Sequence, residues 1–299
     1  MGYAWIILGV LIVRNMLPKN GRPIASVGAK SSSMWAGLTD AFKARTTIVL
    51  ICVLFISDSP CVAFNYMIIY LQYCGVSNHM AGVACAVTMV GAAIGGSLGG
   101  LLVSFIDGRC KHYGLISCAN VVICIRLVAC SYFFFGPEPR GGLRWFHFLE
   151  LAIIGATSMT AGCIDRPIMA HVMKKEFQAS SWSICRCIAG VLSSSIFYPL
   201  CGYLSETVFG YIPSTDSFET MDIVVRMGNA SALRKSMASL FVGGTALNIA
   251  CYVAFFFTYP QDKKNRMELD EKLKQVEEKE KRETGQTAAG SAAPATVVK

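Results

Sequence analysis

The chain has 299 residues and a formal net charge of +8, and 54% of its residues are hydrophobic while only 15% are charged. Soluble domains carry about 25% charged residues, so this composition excludes an ordinary water-soluble protein. A positive net charge can indicate binding to nucleic acid. Here, however, the basic residues lie in short clusters between apolar runs, which is typical of membrane proteins. We therefore expect a lipid bilayer around this chain and no nucleic-acid partner.

The first segment of the chain, residues 1–17, is apolar but short. It has only about a dozen apolar residues before Arg14, whereas a helix needs about 20 to cross a bilayer. It also lacks the basic start and the small-residue cleavage site of a signal peptide. We predict that it is a partial transmembrane helix, the end of a span whose beginning is missing. A basic linker rich in Gly and Ser, residues 18–45, follows it.

Six apolar runs come next, and each is long enough to cross a bilayer. They predict a six-helix transmembrane bundle over residues 46–260. The predicted fold class is an all-α polytopic membrane protein with six full transmembrane helices and a truncated seventh at the N-terminus. A long loop, residues 206–235, is predicted between the fifth and sixth spans. The predicted spans are 46–73, 80–106, 113–136, 146–171, 181–205 and 238–259.

The positions of lysine and arginine predict how these spans are oriented, because cytoplasmic loops carry the excess of positive residues. One alternate set of connecting segments is far more basic than the other. We therefore place that set, the linker and the C-terminus in the cytoplasm, while the choice of membrane stays open. The basic set holds Arg14, Lys19, Arg22, Lys30, Lys43, Arg45, Arg109, Lys111, Lys174, Lys175, Lys263, Lys264 and Arg266. The opposite set holds Arg140, Arg144, Arg226, Arg234 and Lys235.

The C-terminal residues are polar. Residues 261–284 hold as many acidic as basic side chains, several of them at i,i+4 spacing, which predicts a charged cytoplasmic helix. A partner-binding coiled coil is the alternative. Residues 285–299 have the composition of a disordered tail. On the other side of the membrane, Asn229 begins an Asn-Ala-Ser sequon and is a candidate glycosylation site.

The second span contains an unusual set of glycines: Gly91, Gly95, Gly96, Gly99 and Gly100. Glycine inside a helix costs roughly 0.5–1 kcal/mol relative to alanine. In lipid, small residues allow helix backbones to approach closely, and this drives helices together. We therefore predict that these glycines form a stripe for helix packing.

Asp58 lies near the middle of the first span, close to Pro60. An ionisable residue at membrane depth costs about 2.5–3.5 kcal/mol and is a candidate for function. Proline removes a backbone donor and should kink or break the helix there. Two interpretations stay open: Asp58 is a proton or cation site, or it is paired with a basic residue only to hold helices together.

The fourth and fifth spans carry further ionisable residues. Glu150 lies near the outer end of the fourth span, and Asp165 lies on the same helical face near the inner end, next to Arg166. Arg186 lies just inside the inner end of the fifth span. Arg126, in the middle of the third span, is either paired or faces a wet cavity.

A cluster of charges is predicted at the cytoplasmic mouth of the bundle. Salt bridges there would hold a gate shut in one state and break in the other. Snorkelling to the interface explains Arg109 and Arg186 as well. The cluster would comprise Asp107, Arg109, Asp165, Arg166 and Arg186.

The sequence has no pattern that indicates catalysis. Its four histidines lie at span ends without the spacing of a metalloprotease helix, and no nucleophile elbow or phosphate loop is present. Thirteen cysteines are scattered through the spans without a Cys-x-x-Cys pair, as expected of small buried apolar residues. We expect no enzymatic activity, no metal site and no cofactor.

Several segments resemble a known family: IGGSLGGLLVS in the second span, DRPIMAHVMKKEFQASSWSI between the fourth and fifth, PLCGYLSETVFGY after the fifth, and NASALRKSM with FFFTYPQDKK around the sixth. The chain is similar to the carboxy-terminal half of a major facilitator superfamily transporter. More narrowly, it resembles a plant and protist branch related to spinster-like carriers.

This resemblance implies half of a twelve-helix fold with a solute cavity between the two halves. The chain would supply the end of helix six and helices seven to twelve. Its first, second, fourth and fifth spans would face the cavity or the other half, and its third and sixth would be outer supports. The resemblance therefore favours residues of the cavity-facing spans, rather than Arg126, for transport and coupling. These residues are Asp58, Glu150, Asp165, Arg166 and Arg186.

The family's signature at a cytoplasmic turn is Gly-x-x-x-Asp followed by basic residues. Here Gly100 is followed by Ser104 at the acidic position, and Asp107 comes one helical turn later, before Arg109 and Lys111. The resemblance implies a cytoplasmic gate at these residues, either rebuilt around Asp107 or weakened.

The expected function is that of a secondary active transporter, or its C-terminal half, which moves a small organic solute by alternating access. Transport would be driven by protons or another gradient, since no ATP-binding motif is present. The partner would be a missing N-terminal half or a second copy of the chain. The alternative is a truncated or degenerate carrier that serves as a non-transporting membrane scaffold or regulator.

Overall fold

A computed structural model describes residues 42, 44–110, 113–174, 177–214, 217–218 and 220–290, with side chains as far as Val276. The predicted partial helix at residues 1–17, nearly all of the linker, Lys111 and residues 291–299 lie outside this described part.

The described chain is all-helical and contains six helices that are long and apolar enough to cross a membrane, as the sequence predicted. The helices are α1 Arg45–Ser57, α2 Ser59–Phe64, α3 Met67–Tyr73, α4 Asn78–Arg109, α5 Gly114–Phe135, α6 Trp145–Val172, α7 Gln178–Tyr203, α8 Ile223–Ala238 and α9 Gly244–Gly290. Two π-helical turns, Leu204–Val208 and Ser239–Gly243, extend α7 and join α8 to α9.

These helices form six spans. The first span is α1–α3, the next three are α4, α5 and α6, the fifth is α7 with its π turn, and the sixth is α8 and α9 with the π turn between them. We call the end of the bundle that holds Arg45, Arg109, Lys174 and Lys264 the basic end, and the other end the opposite end.

The first span is interrupted where the sequence predicted a break. Helix α1 ends at Ser57, and α2 begins at Ser59 with Pro60 in its first turn. Asp58 lies between the two helices in a helical conformation, and its carbonyl oxygen still accepts from the Val62 amide at 3.0 Å. Pro60 has no N–H to donate, so the break falls beside the carboxylate.

The predicted loop over residues 206–235 is wrong in its second half. Residues Ile223–Ala238 form α8, which leads into α9 without leaving the helical path. Arg226, Arg234 and Lys235 lower the hydropathy of this segment, and a search for apolar runs therefore misses it. Helix α9 also continues into the charged segment, so residue 261 is not a boundary, and residues 285–290, predicted to be disordered, are helical.

Part of the predicted glycine stripe joins the second span to the fourth. A Cβ added at Gly91 or Gly95 would overlap the backbone of the fourth span, and one at Gly99 would lie tightly against it. The Thr160 hydroxyl crosses this contact and donates to the Gly95 carbonyl at 2.9 Å. Gly96 lies at the edge of this contact, where its carbonyl accepts from the Cys163 thiol at 3.5 Å, whereas a Cβ at Gly100 would meet nothing within 4 Å.

Candidate functional site

Asp58 binds residues of the fifth span. One carboxylate oxygen accepts from Nη2 of Arg186 at 2.7 Å, and the other accepts from the Ser193 hydroxyl at 3.1 Å. The interruption between α1 and α2 places this carboxylate halfway along the first span. The pairing with a basic residue, one of the two predicted interpretations, is therefore present in the structure.

The ion pair lies at the surface of this chain, in the middle of the bundle's length. Asp58 is only 9% exposed, but the Arg186 side chain is 46% exposed. A guanidinium at membrane depth normally faces the bundle interior or a water-filled cavity, because contact with lipid is costly. The surface around Arg186 is thus not suited to lipid.

More polar side chains continue this surface towards the opposite end. Asn65, one helical turn from Cys61 along the first span, donates its amide to the hydroxyl of Tyr198 at 2.6 Å. We call this surface the polar face; its exposed residues are Cys61, Asn65, Arg186 and Tyr198, and Asp58 and Ser193 are buried directly behind them. It can bind a polar solute or hold water along the seam between the first and fifth spans.

A second polar cluster is enclosed in the bundle. Asp165 accepts a hydrogen bond from the hydroxyl of Tyr252 in the sixth span, and both side chains are buried. Arg126 lies close enough for its charge to act on both. It is 2% exposed, and its Nε and Nη2 atoms have no hydrogen-bond partner among the described residues.

Arg126, which the resemblance placed behind the other charged residues, interacts with both polar clusters. Its charge reaches Cys61 on the polar face as well as Asp165. The charge of Arg186 reaches Asp165 in turn. The carboxylates of Asp58 and Asp165 and the guanidiniums of Arg126 and Arg186 thus interact electrostatically across four spans. Their charges sum to zero.

The predicted charge cluster at the cytoplasmic mouth does not form. Asp165 and Arg186 bind the partners just described. Arg166 lies over the Trp182 ring, with 5.6 Å between the guanidinium carbon and the ring centre. Arg109 lies over the Phe105 ring in the same way at 4.5 Å, as expected of an interfacial arginine.

Among the predicted gate residues that the structure describes, Asp107 contacts other spans. Its carboxylate is 3.5 Å from Nε2 of His171, and Nδ1 of that histidine is 2.6 Å from the Tyr259 hydroxyl. This chain of contacts joins the second, fourth and sixth spans at the basic end. Ser104 is exposed and donates only to the Gly100 carbonyl of its own helix at 3.0 Å.

Glu150 is separate from both clusters. It lines an apolar groove of ≈ 590 Å³ between the third and fourth spans, where Asn120 is the other polar residue. One of its carboxylate oxygens is buried without a hydrogen-bond partner among the described residues. It lies about 22 Å along the fourth span from Asp165, at 1.5 Å per residue, and the structure does not bring the two together.

The sixth span binds the first through a series of polar contacts. Asn248 donates to the Ser57 hydroxyl at 2.7 Å, and the Ser59 hydroxyl donates to the Leu240 carbonyl at 3.3 Å. Near the basic end, the Asp262 carboxylate accepts from both the amide and the hydroxyl of Thr46, at 2.8 and 2.7 Å. These contacts hold the residues on both sides of the break at Asp58 against the sixth span, which is helical throughout this region.

The glycosylation prediction at Asn229 is not compatible with this fold. The side chain is 1% exposed inside α8, and its amide group makes two 2.8 Å hydrogen bonds with the backbone of Ile212. A glycan on the same nitrogen would remove one of these bonds and has no space in the folded protein.

Sequence reasoning missed Ser193, Tyr198, Tyr252 and His171 as site residues. Serine and tyrosine are common in membrane helices, so their type alone gives no signal. A stronger signal was the spacing of Arg186 and Ser193, which are seven residues apart and therefore place two polar groups on one side of the fifth span at membrane depth.

Comparisons with models of known protein families, with curated proteins and with solved structures found no match to this chain. The function of this chain is therefore inferred from its fold and from the geometry of its side chains.

Proposed function

We propose that this chain is the carboxy-terminal half of a secondary active transporter for a small organic solute, with the polar face as its side of the solute pathway. The Asp58–Arg186 ion pair supports this most directly, because it lies halfway along the spans and yet at the surface of the chain. Such a pair needs water or protein beside it. A solute pathway between two halves supplies both.

Alternating access follows from this arrangement. The pathway would be closed by a second six-helix half, either an N-terminal half or another copy of this chain, that rocks against the first and fifth spans. The break at Asp58 gives the first span a place to bend. The basic end would face the cytoplasm, following the positive-inside rule.

Asp58 is the proposed coupling residue. Its two carboxylate oxygens bind Arg186 and Ser193 of the fifth span, so loss of the carboxylate charge would weaken the contact between the fifth span and the first. A proton or a charged solute that competes for either partner would thereby change the contact between two spans that face the pathway. Behind this pair, Asp165 and Arg126 would form a second set of opposite charges inside the bundle.

Uptake by reconstituted vesicles tests the proposal. Vesicles with the wild-type chain should accumulate at least one solute from a mixture of small organic compounds under a proton gradient, measured by mass spectrometry. Asp58→Asn should lower that accumulation by about tenfold or more in folded protein, since the variant lacks the carboxylate proposed to couple uptake to the proton gradient. Asp270→Asn is the matched control, because Asp270 also pairs with an arginine but lies on the charged extension of α9.

Two results would count against the proposal. Wild-type vesicles that take up no more than empty vesicles would exclude transport by paired copies of this chain, and would leave a separate N-terminal half or a non-transporting scaffold or regulator. Undiminished uptake by Asp58→Asn would leave transport in place but remove the coupling role of this residue.

A further inference from the structure

A pocket of ≈ 320 Å³ lies at the opposite end of the bundle and shares no residue with the polar face. The end of the first span, the connection between the third and fourth spans, and helix α8 form its walls. Its polar lining comes from Tyr70, Tyr73, Glu138, Arg140 and Arg226.

Two glycines in left-handed conformations shape the pocket and keep it open. Gly75 has a φ of 81° and Gly141 a φ of 70°, which side-chain-bearing residues rarely adopt. The Gly141 amide donates to the Cys74 carbonyl at 3.0 Å and ties the two connections together. A Cβ at Gly75 would lie 3.9 Å from Nη2 of Arg226, so the absence of a side chain leaves this guanidinium uncovered.

The pocket wall carries hydrogen-bond donors that lack partners. Tyr70 is 1% exposed, and its hydroxyl has no partner among the described residues beyond the weakly bonding Cys74 thiol beside it. Nε of Arg226 is also buried and unpaired within the described chain, and Nη1 makes one long bond, 3.4 Å, to the Phe218 carbonyl. Buried donors without acceptors are rare, since each costs about 1–3 kcal/mol.

The charge around the pocket is positive. Two arginines, Arg140 and Arg226, line the pocket together with one carboxylate, that of Glu138. That carboxylate is already bound, by Nη1 of Arg234 at 2.8 Å and Nε of Arg140 at 3.0 Å. Burial alone would raise the pKa of Glu138, but the hydrogen bonds and charges of Arg140 and Arg234 outweigh burial and lower it. Glu138 thus stays ionised, and the residues that line the pocket keep a net charge of +1.

We propose that this pocket binds a phosphate group, with Arg226 and the Tyr70 hydroxyl as its principal donors. A guanidinium offers parallel N–H groups that match two phosphate oxygens, and Tyr70 would donate to a third. The positive charge of the lining favours an anionic group over a neutral one. The phosphate group belongs either to a lipid headgroup, since the pocket lies at an end of the spans, or to free inorganic phosphate.

Two binding measurements on the full chain test this site. Inorganic phosphate is titrated by calorimetry into the chain in lipid nanodiscs. In a separate sample purified in detergent, the phospholipid that the chain retains after washing is measured by mass spectrometry. Arg226→Gln should weaken phosphate binding, or lower lipid retention, by about tenfold, the effect of losing a charge-assisted hydrogen bond. Tyr70→Phe, which removes only the hydroxyl, should weaken it several-fold. Lys235→Gln is the control, because it removes an exposed positive charge from the same helix.

The two measurements separate the sources of the phosphate group. Saturable binding of inorganic phosphate that Arg226→Gln weakens identifies a site for the free ion. Retained phospholipid that is lost in Arg226→Gln identifies a headgroup site. Folded wild-type protein that shows neither, or an equal loss in Lys235→Gln, would overturn the proposal. None of these results depends on whether the chain transports a solute.

Discussion

Asp165→Asn is expected to destabilise the bundle by about 1–3 kcal/mol, because the hydrogen bond from Tyr252 loses its charged acceptor and the charge of Arg126 loses a nearby carboxylate. The asparagine can still accept the hydrogen bond from Tyr252, so that contact survives. The charge of Arg126, however, would remain in the bundle without its carboxylate. A thermal unfolding midpoint measured in detergent should fall strongly, with the helical content of the folded state unchanged.

The double variant Arg126→Met with Asp165→Asn is the decisive comparison. It removes both buried charges and replaces a guanidinium that lacks partners for Nε and Nη2 among the described residues. Neutral replacements of a buried charge pair are often tolerated or even stabilising. We expect the double variant to recover most of the stability lost by Asp165→Asn. A double variant less stable than that single variant would show that Arg126 does not balance the charge of Asp165.

Gly95→Ala should destabilise the protein by about 1–3 kcal/mol or more, as overpacking of a tight contact does. The added Cβ would overlap the backbone of Ala156, and two helix backbones cannot give way as a flexible side chain can. The second and fourth spans would have to separate, and the Thr160–Gly95 hydrogen bond would be lost with them. Thermal unfolding in detergent measures the loss.

Gly100→Ala is the matched control on the same helix. Its Cβ would meet nothing within 4 Å, so the gain in helix propensity, roughly 0.5–1 kcal/mol, is unopposed within this chain. Equal losses from the two variants would contradict the close contact between the second and fourth spans. A large loss from Gly100→Ala alone would place a second half against Gly100.

The sequence was sufficient to predict the spans, because length and hydropathy decide whether a helix can cross a bilayer. It also located the break at Asp58, since the effect of Pro60 on a helix is local. The stripe at Gly91, Gly95 and Gly99 follows from spacing alone. Helix α8 was missed because arginine and lysine mask its apolar residues.

The partners of the charged residues could not be predicted in the same way. Asp58 and Arg186 are 128 positions apart, and only the arrangement of the helices in space brings them together. The same holds for Asp165 with Tyr252 and for Asp107 with His171. Each charged residue has many candidate partners in the sequence, and only the tertiary structure brings one of them within contact distance.

The central claim is that the polar face lines a water-filled pathway, and two native cysteines allow a direct test. Cys61 on the polar face and Cys124 on the third span are both exposed in this chain and both lie near the middle of a span. A charged, membrane-impermeant methanethiosulfonate reacts with the thiolate, which forms in water and not in lipid. Vesicles with the wild-type chain are treated with this reagent, and each site is quantified by mass spectrometry. The account predicts modification of Cys61 and protection of Cys124; equal protection of Cys61 would contradict it.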